Sequence, residues 1–262
     1  MSKKIEIVDA SYTYDGENYI WEHLNAIVEN GDHVCILGSN GCGKTTLFNC
    51  ITGNVSLTSG HIYINGKDVR EYSVSELAKI IGIVYQDHSI AFPYTSLEVV
   101  SMGRAPYLGL FESPKKEDTE MAYHIMEELG IANLAEKRYS KISGGQRQLV
   151  LIARTLCQQP EVILFDEPTS HLDFKNQAIV MKTIHHLSKM GITTIMTSHL
   201  PTYAYRTSNK VFLMANKSIL ASGTPCEIMN EHNLQQTYGV RVKINKIKDE
   251  TQCFIDIDYD DI

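Results

Sequence analysis

HVCILGSNGCGKTT, residues 33–46, is the stretch from which the rest of the chain is read. His33 to Leu37 is a short apolar run and predicts a buried strand. The run breaks at Gly38, and a helix pattern resumes at Lys44. Between them lies G-x-x-x-x-G-K-T, a loop pattern that cradles phosphate. Phosphate needs several N–H donors close together, and side chains there obstruct its approach. Gly38, Gly41 and Gly43 let the backbone bend and come near. The following helix points its positive end at the same place. Lys44 adds a full charge within reach of terminal phosphates, and Thr45 offers a hydroxyl to Mg²⁺. A glycine-rich turn before an ordinary helix is the bland alternative. The strand before, the helix after and the lysine-threonine ending argue against it.

Outward from this stretch, composition sets bounds. The chain has 262 residues, 43% hydrophobic and 21% charged, the profile of an ordinary globular protein with a sizeable core. It has no apolar run long enough to span a bilayer, and MSKKIEIVD has no signal-peptide core. A cytoplasmic protein is therefore expected. The net charge of −7 argues against a general nucleic-acid binder and against adhesion to anionic lipid. The six cysteines form no C-x-x-C pair and no metal-ligand spacing, so free, buried thiols are expected.

Along the chain, KIEIVD (4–9) and residues 19–28 read as strands. Tyr12 and Tyr14 lie near the turn between them. A ring placed beside the phosphate loop could stack on a purine; Tyr14 is the candidate and Tyr12 the reserve. By pattern alone, packing on a sheet is the commoner use of either. A helix over 44–52 should end at Gly53. GHIYINGKDV (60–69) predicts a strand, a turn at Asn65-Gly66 and a return. SVSELAKI (73–80) predicts a capped helix. IGIVYQ (81–86) predicts a buried strand delivering Gln86 to its end, where ligands gather in parallel α/β sheets.

From 87 to 158 strand patterns disappear. Residues 87–111 read as irregular, aromatic and partly helical. KEDTEMAYHIMEELG (116–130) is an amphipathic helix stopped by Gly130. ISGGQRQLVLIARTLCQQP (142–160) opens a strong helix with Ser143 as N-cap and an apolar face of Leu149, Ile152, Ala153 and Leu156. Its N-terminus is a second potential anion site, although S-G-G-Q alone is also a simple capped start. In VILFDEPTSHLD (162–173), a buried strand runs into Asp166 and Glu167. An Asp at a strand end beside a phosphate loop can hold Mg²⁺ through its waters. Glu167 points differently and takes the position of a general base. Residues 175–190 predict a helix, and ITTIMTSH (192–199) a buried strand ending in His199. VFLMANKSILASG (211–223) predicts a hairpin, 224–238 short helices, and the tail two further strands.

GSNGCGKT, Gln86, ISGGQ, ILFDEPTSHLD and His199 occur in the order and rough spacing of the ATP-binding cassette ATPases, and the chain resembles that family over about residues 4–239. FPYTSLEVVSMGRAPYLGLF and GTPCEIMNEHNLQQTYGV resemble the importers of iron–siderophore, haem and cobalamin. The resemblance implies an α/β fold: a RecA-like P-loop NTPase core (1–86 and 159–239), an antiparallel β subdomain and an inserted α-helical subdomain (87–158). It assigns nothing to 240–262. It implies that Tyr14 stacks on adenine, and that Lys44 with the loop from Gly38, Ser39, Asn40, Gly41, Cys42 and Gly43 to Thr45 and Thr46 holds the phosphates. Thr45, Gln86 and Asp166 would serve Mg²⁺, Glu167 would polarise water, and His199 would sense the γ-phosphate. Ser143, Gly144, Gly145 and Gln146 would bind ATP held by a second copy, and Ser170 to Asp173 would cross that interface. Ile142 stands where the family usually has Leu, an apolar exchange.

The expected activity is ATP hydrolysis by a head-to-tail homodimer that drives a membrane permease at the cytoplasmic face. The permease would dock near 87–111, with a substrate-binding protein as an indirect partner. Exporter ATPases are a nearer rival. A soluble clamp of DNA repair or translation is a more distant one; it would show a long heptad insertion or two cassettes in one chain, and neither is present. A non-hydrolysing regulatory module is separable by a phosphate-release assay.

Overall fold

A computed structural model describes residues 2–85, 93–109, 111–247 and 250–255, with side chains as far as residue 245. Strands β1 (Lys3–Thr13) and β2 (Tyr19–Glu29) come first, then β3 (His33–Gly38), helix α1 (Lys44–Ile51), β4 (Ser59–Ile64) and β5 (Lys67–Asp68). Next are α2 (Val74–Ile80), β6 (Ile81–Val84), α3 (Ser96–Ser101), α4 (Lys116–Glu128), α5 (Gly144–Cys157), β7 (Val162–Phe165) and α6 (Phe174–Lys189). The order closes with β8 (Thr193–Ser198), α7 (Pro201–Thr207), β9 (Lys210–Ala215), β10 (Ser218–Gly223), α8 (Pro225–Ile228), α9 (Glu231–Tyr238), β11 (Val242–Ile247) and β12 (Glu250–Ile255). Two compact units divide this chain: Met1–Glu71 with Thr194–Ile262, and Tyr72–Thr193.

In the first unit, β1 lies between β2 and β4, antiparallel to both, and β5 extends this sheet from β4. The turn between β4 and β5 places Asn65 and Gly66 at φ 51 and 79, the left-handed pair that a two-residue hairpin needs. A parallel set forms around β3, which pairs with β8 on one side and β9 on the other. Val34 to Leu37 are buried, as their unbroken apolar run predicts for a strand covered on both faces. Strand β10 returns antiparallel on β9 through Asn216 and Lys217, at φ 50 and 60. The tail forms the β11–β12 hairpin, and the Glu231 side chain of α9 accepts a hydrogen bond from the Ile244 amide.

In the second unit, β6 and β7 run parallel, with Ile81 opposite Val162 and Val84 opposite Phe165. All four β7 residues are buried. Helices α3, α4 and α5 pack on one another. Ser73 caps α2 and Thr95 caps α3, each completing a reciprocal pair with a glutamate three residues on. Among the described residues of the stretch read as partly helical, α3 continues into a 3-10 helix over Met102–Tyr107. The single apolar face expected of α5 needs correction. Leu149, Ile152 and Ala153 are buried, but so are Val150, Leu151, Thr155 and Cys157. Burial thus extends beyond the expected face, while Arg147 stays exposed and Gln146 and Arg154 half-buried. The cysteines need a smaller correction. Cys35, Cys50 and Cys157 are buried, and burial pushes their thiols up to about 12, 12 and 11, whereas Cys226 is exposed.

Candidate functional site

Each unit carries a set of the residues singled out by sequence. In the first, β3 ends at Gly38, and a loop leads into α1. Ser39, Asn40 and Gly41 are exposed, Cys42 and Gly43 half-buried. Gly43 is the N-cap of α1 at φ 94, and no side chain caps the helix. A Cβ there would come within 2.5 Å of Ile20 Cγ2 and 2.6 Å of Trp21 Cδ1, so only glycine allows this approach. Lys44 is 6% exposed. Its ammonium donates to the Gly38 and Ser39 carbonyls at 2.9 and 3.0 Å, which folds the charge over the loop. Thr45 is exposed at the first turn. The Thr46 hydroxyl hydrogen-bonds the Tyr14 hydroxyl at 3.0 Å. Tyr14 is 68% exposed, with its ring edge-on to buried Tyr12 at 4.9 Å. The exposed tyrosine is therefore the one free to take a ligand, and the reserve is a packing residue. Leu37 pairs with Ser198 across β3 and β8, so the loop and exposed His199 leave the same edge of the parallel set.

This arrangement fits a nucleoside triphosphate. Helices α2, α3 and α5 satisfy their first amides with capping side chains, and α1 has none and no acid in its first turn. An uncapped helix start with a lysine ammonium folded beside it suits an anion from outside the chain.

In the second unit, Val84 lies opposite Phe165, and the Asp166 amide donates to the Val84 carbonyl at 2.9 Å. Asp166 is 5% exposed at the tip of β7. Glu167 follows at φ 45, a left-handed conformation costly for a side chain with a Cβ. Its carboxylate accepts the Ser170 hydroxyl at 3.0 Å. Thr45 in the first unit and Asp166 in the second each offer oxygen, the donor chemistry of a hard cation such as Mg²⁺. Gln86 lies outside the described residues, as do 87–92 and Leu110 in the segment read as a dock.

At the start of α5, Ser143 is the N-cap, and its amide donates to Gln146 Oε1 at 3.0 Å. Gly144 and Gly145 form the first helical positions. A Cβ on Gly145 would lie 2.3 Å from Asn176 Cγ. Asn176 donates from its side chain to Asp173 Oδ2 at 3.0 Å and from its amide to Asp173 Oδ1 at 2.8 Å. Asp173 is therefore the cap of α6, and its asparagine bears on the glycine pair. Asn176 was not singled out by sequence, because a helical asparagine carries no signal until α5 and α6 are packed together.

Residues 21–170, more than half of the chain, match the sequence model of the ABC transporter family. The chain belongs to that family. A molybdate import ATP-binding protein, MolC of Haemophilus influenzae, is 35% identical over 235 residues, 89% of this chain and 87% of that one. A hemin import ATP-binding protein, HmuV of Bordetella avium, is 33% identical over 237 residues, covering 87% and 90%. A solved structure of an inward-facing putative metal-chelate type ABC transporter superposes with a TM-score of 0.86 at 30% identity, over 97% of this chain and 98% of that one. As an ABC transporter ATPase, the chain binds and hydrolyses ATP in support of transport. No helix among the described residues is long and apolar enough to cross a membrane.

Proposed function

We propose that this chain is the ATP-hydrolysing subunit of an importer for an iron–siderophore, haem or cobalamin-type metal chelate. Two copies meet head to tail and share two nucleotides. The dimer is supported by two glycine-bearing helix starts in one chain: α1, uncapped and backed by Lys44, and α5, capped by its own Ser143 with the glycine pair behind it. One triphosphate needs one loop, so the glycine pair of α5 serves the nucleotide of the other copy.

In this reading Tyr14 stacks on the base, and the loop from Gly38 to Thr46 with Lys44 holds the phosphates. Thr45, Gln86 and Asp166 would hold Mg²⁺, which would supply charge neutralisation at the phosphates. Glu167 takes the proton of the attacking water while Ser170 orients its carboxylate. His199 contacts the departing phosphate. Each charge-assisted contact contributes about 1.5–3 kcal/mol. Losing several at two sites exceeds the about 5.5 kcal/mol that carries a two-state population from 1:99 to 99:1. Cleavage therefore suffices to part the copies. The chain's RecA-like core (1–86, 159–239) and helical subdomain (87–158) are proposed with those limits, on the cytoplasmic side of the membrane.

The permease dock is proposed at a groove of about 360 Å³ lined by Leu97, Thr119, Glu120, Tyr123, His124 and Glu127. Leu97 belongs to the segment 87–111, and the α4 residues extend it. Acidic residues predominate on the exposed side of α4, with Glu117, Glu120, Glu127 and Glu128 against Lys116. The proposed occupant is a short cytoplasmic helix of the permease with an apolar residue for Leu97 and Tyr123 and a lysine or arginine for the glutamates. The permease's binding protein follows as an indirect partner.

Metal-chelate cargo is supported by the hemin relative and by the metal-chelate transporter structure. The molybdate relative favours an oxyanion as the second reading. Deleting the chain from its source and measuring uptake decides between them. Loss of ferric siderophore, haem or cobalamin uptake supports the first; loss of molybdate uptake alone supports the second and contradicts the first.

A further inference from the structure

Trp21, the single tryptophan of the chain, is completely buried in β2. It lies opposite Tyr12 in the β1–β2 register, with ring centroids 5.8 Å apart. Tyr12 in turn meets the edge of Tyr14 at 4.9 Å. On its other side the indole presses on the phosphate loop. A Cβ on Gly43 would lie 2.6 Å from its Cδ1 and 2.8 Å from its Nε1. The indole N–H is buried and has no hydrogen-bond partner among the described residues. Burying a donor without a partner is unfavourable, and a tryptophan used only for packing usually finds one.

We propose that Trp21 is a positioning residue that sets the base-stacking ring and the phosphate loop as one unit. Gly43 is the last residue before Lys44 and the N-cap of α1. Any shift of the loop around phosphate moves Gly43 against the indole edge. The interior is close-packed, so the indole passes that shift to Tyr12 and on to Tyr14. A second tie closes the circuit, since Tyr14 is hydrogen-bonded to Thr46 on α1. Base and phosphate subsites are then coupled through a chain of ring contacts, tilted from Trp21 to Tyr12 and edge-on from Tyr12 to Tyr14, and through a hydroxyl pair. This inference rests on the assignment of Tyr14 to the base.

The test uses the full chain with two probes, ATP and inorganic tripolyphosphate. The first readout is the emission of Trp21. Tripolyphosphate alone should change it, although it carries no base. The second readout is the ratio of the tripolyphosphate Kd to the ATP Kd by calorimetry, which measures what the base adds. Trp21→Leu should lower that ratio by about 3-fold or more, toward the value of Tyr14→Ala, as expected for coupled neighbours. Trp21→Phe keeps a flat ring and should hold the ratio near wild type. A purely structural tryptophan would weaken both ligands alike and leave the ratio unchanged, and that result overturns the proposal. Should Trp21→Leu fail to fold, an unchanged wild-type emission on saturation with tripolyphosphate overturns it. Wild-type protein that binds ATP no better than tripolyphosphate would instead overturn the base-site reading itself.

Discussion

In the proposed mechanism, Glu167 is the residue on which hydrolysis turns. It sits at φ 45 beyond a fully buried strand, with Ser170 bonded to its carboxylate. Glu167→Gln keeps the shape and removes the base. It should retain ATP affinity in calorimetry and lower phosphate release by about 10²–10⁴, the usual contribution of general base catalysis. Turnover within a few-fold of wild type would remove Glu167 from that role. Lys44→Ala should weaken ATP binding by roughly 10–100-fold, the effect of one charge-assisted bond of about 1.5–3 kcal/mol; unchanged affinity would contradict it. These residues were legible in sequence because the motif is local: an apolar run, a break and a charged tip follow one another within a dozen positions. Asn176 and Trp21 were not. Each lies against a glycine distant in the chain, Gly145 for one and Gly43 for the other, and neither residue type announces such a contact.

At the scale of elements, caps and turns carried most of the legible signal. Ser73 and Ser143 start helices where the serine precedes a glutamate or glutamine by three; Thr95 does the same before Glu98, in a stretch read only as partly helical. Burial was less legible. Burial of helix α5 extends beyond the face its amphipathic pattern marks, and the α4 wall of the groove reads in sequence as a solvated helix face. Glu127→Lys reverses charge on that wall and should reduce co-purification with the permease; full recovery of the complex would count against the dock. The β4–β5 turn offers a separate test. The buried Asp68 carboxylate takes hydrogen bonds from Arg70 Nε and Nη2 at 2.9 and 2.7 Å and from the Arg70 amide at 3.0 Å, and it lies 2.7 Å from His61 Nδ1. Arg70 above all holds this carboxyl well below the usual carboxylate range, against the opposing effect of burial. A depressed carboxyl stabilises the fold above its unfolded value near 4 and loses that contribution as pH falls toward its folded value. Asp68→Asn should therefore cost about 1–2 kcal/mol at pH 7, allowing for the half-exposed arginine. In urea melts the gap from wild type should narrow by pH 3; a gap independent of pH would contradict this origin.

For the whole molecule, the division into Met1–Glu71 with Thr194–Ile262 and Tyr72–Thr193 puts the lysine loop in one unit and Asp166, Glu167 and the glycine pair in the other. Fold class was legible, since alternating strand and helix patterns around a phosphate loop admit few architectures. The limits of the units were not, because they depend on which helices pack on which strands. The net charge of −7 leaves the chain no broad attraction to anionic lipid. Sharing of nucleotide between two copies is the central claim, and the mass of Glu167→Gln in solution tests it most directly. Light scattering should give about twice the 29.5 kDa of one chain with ATP and Mg²⁺, and a single chain with ADP. A variant that holds ATP by calorimetry yet stays at 29.5 kDa would contradict the account.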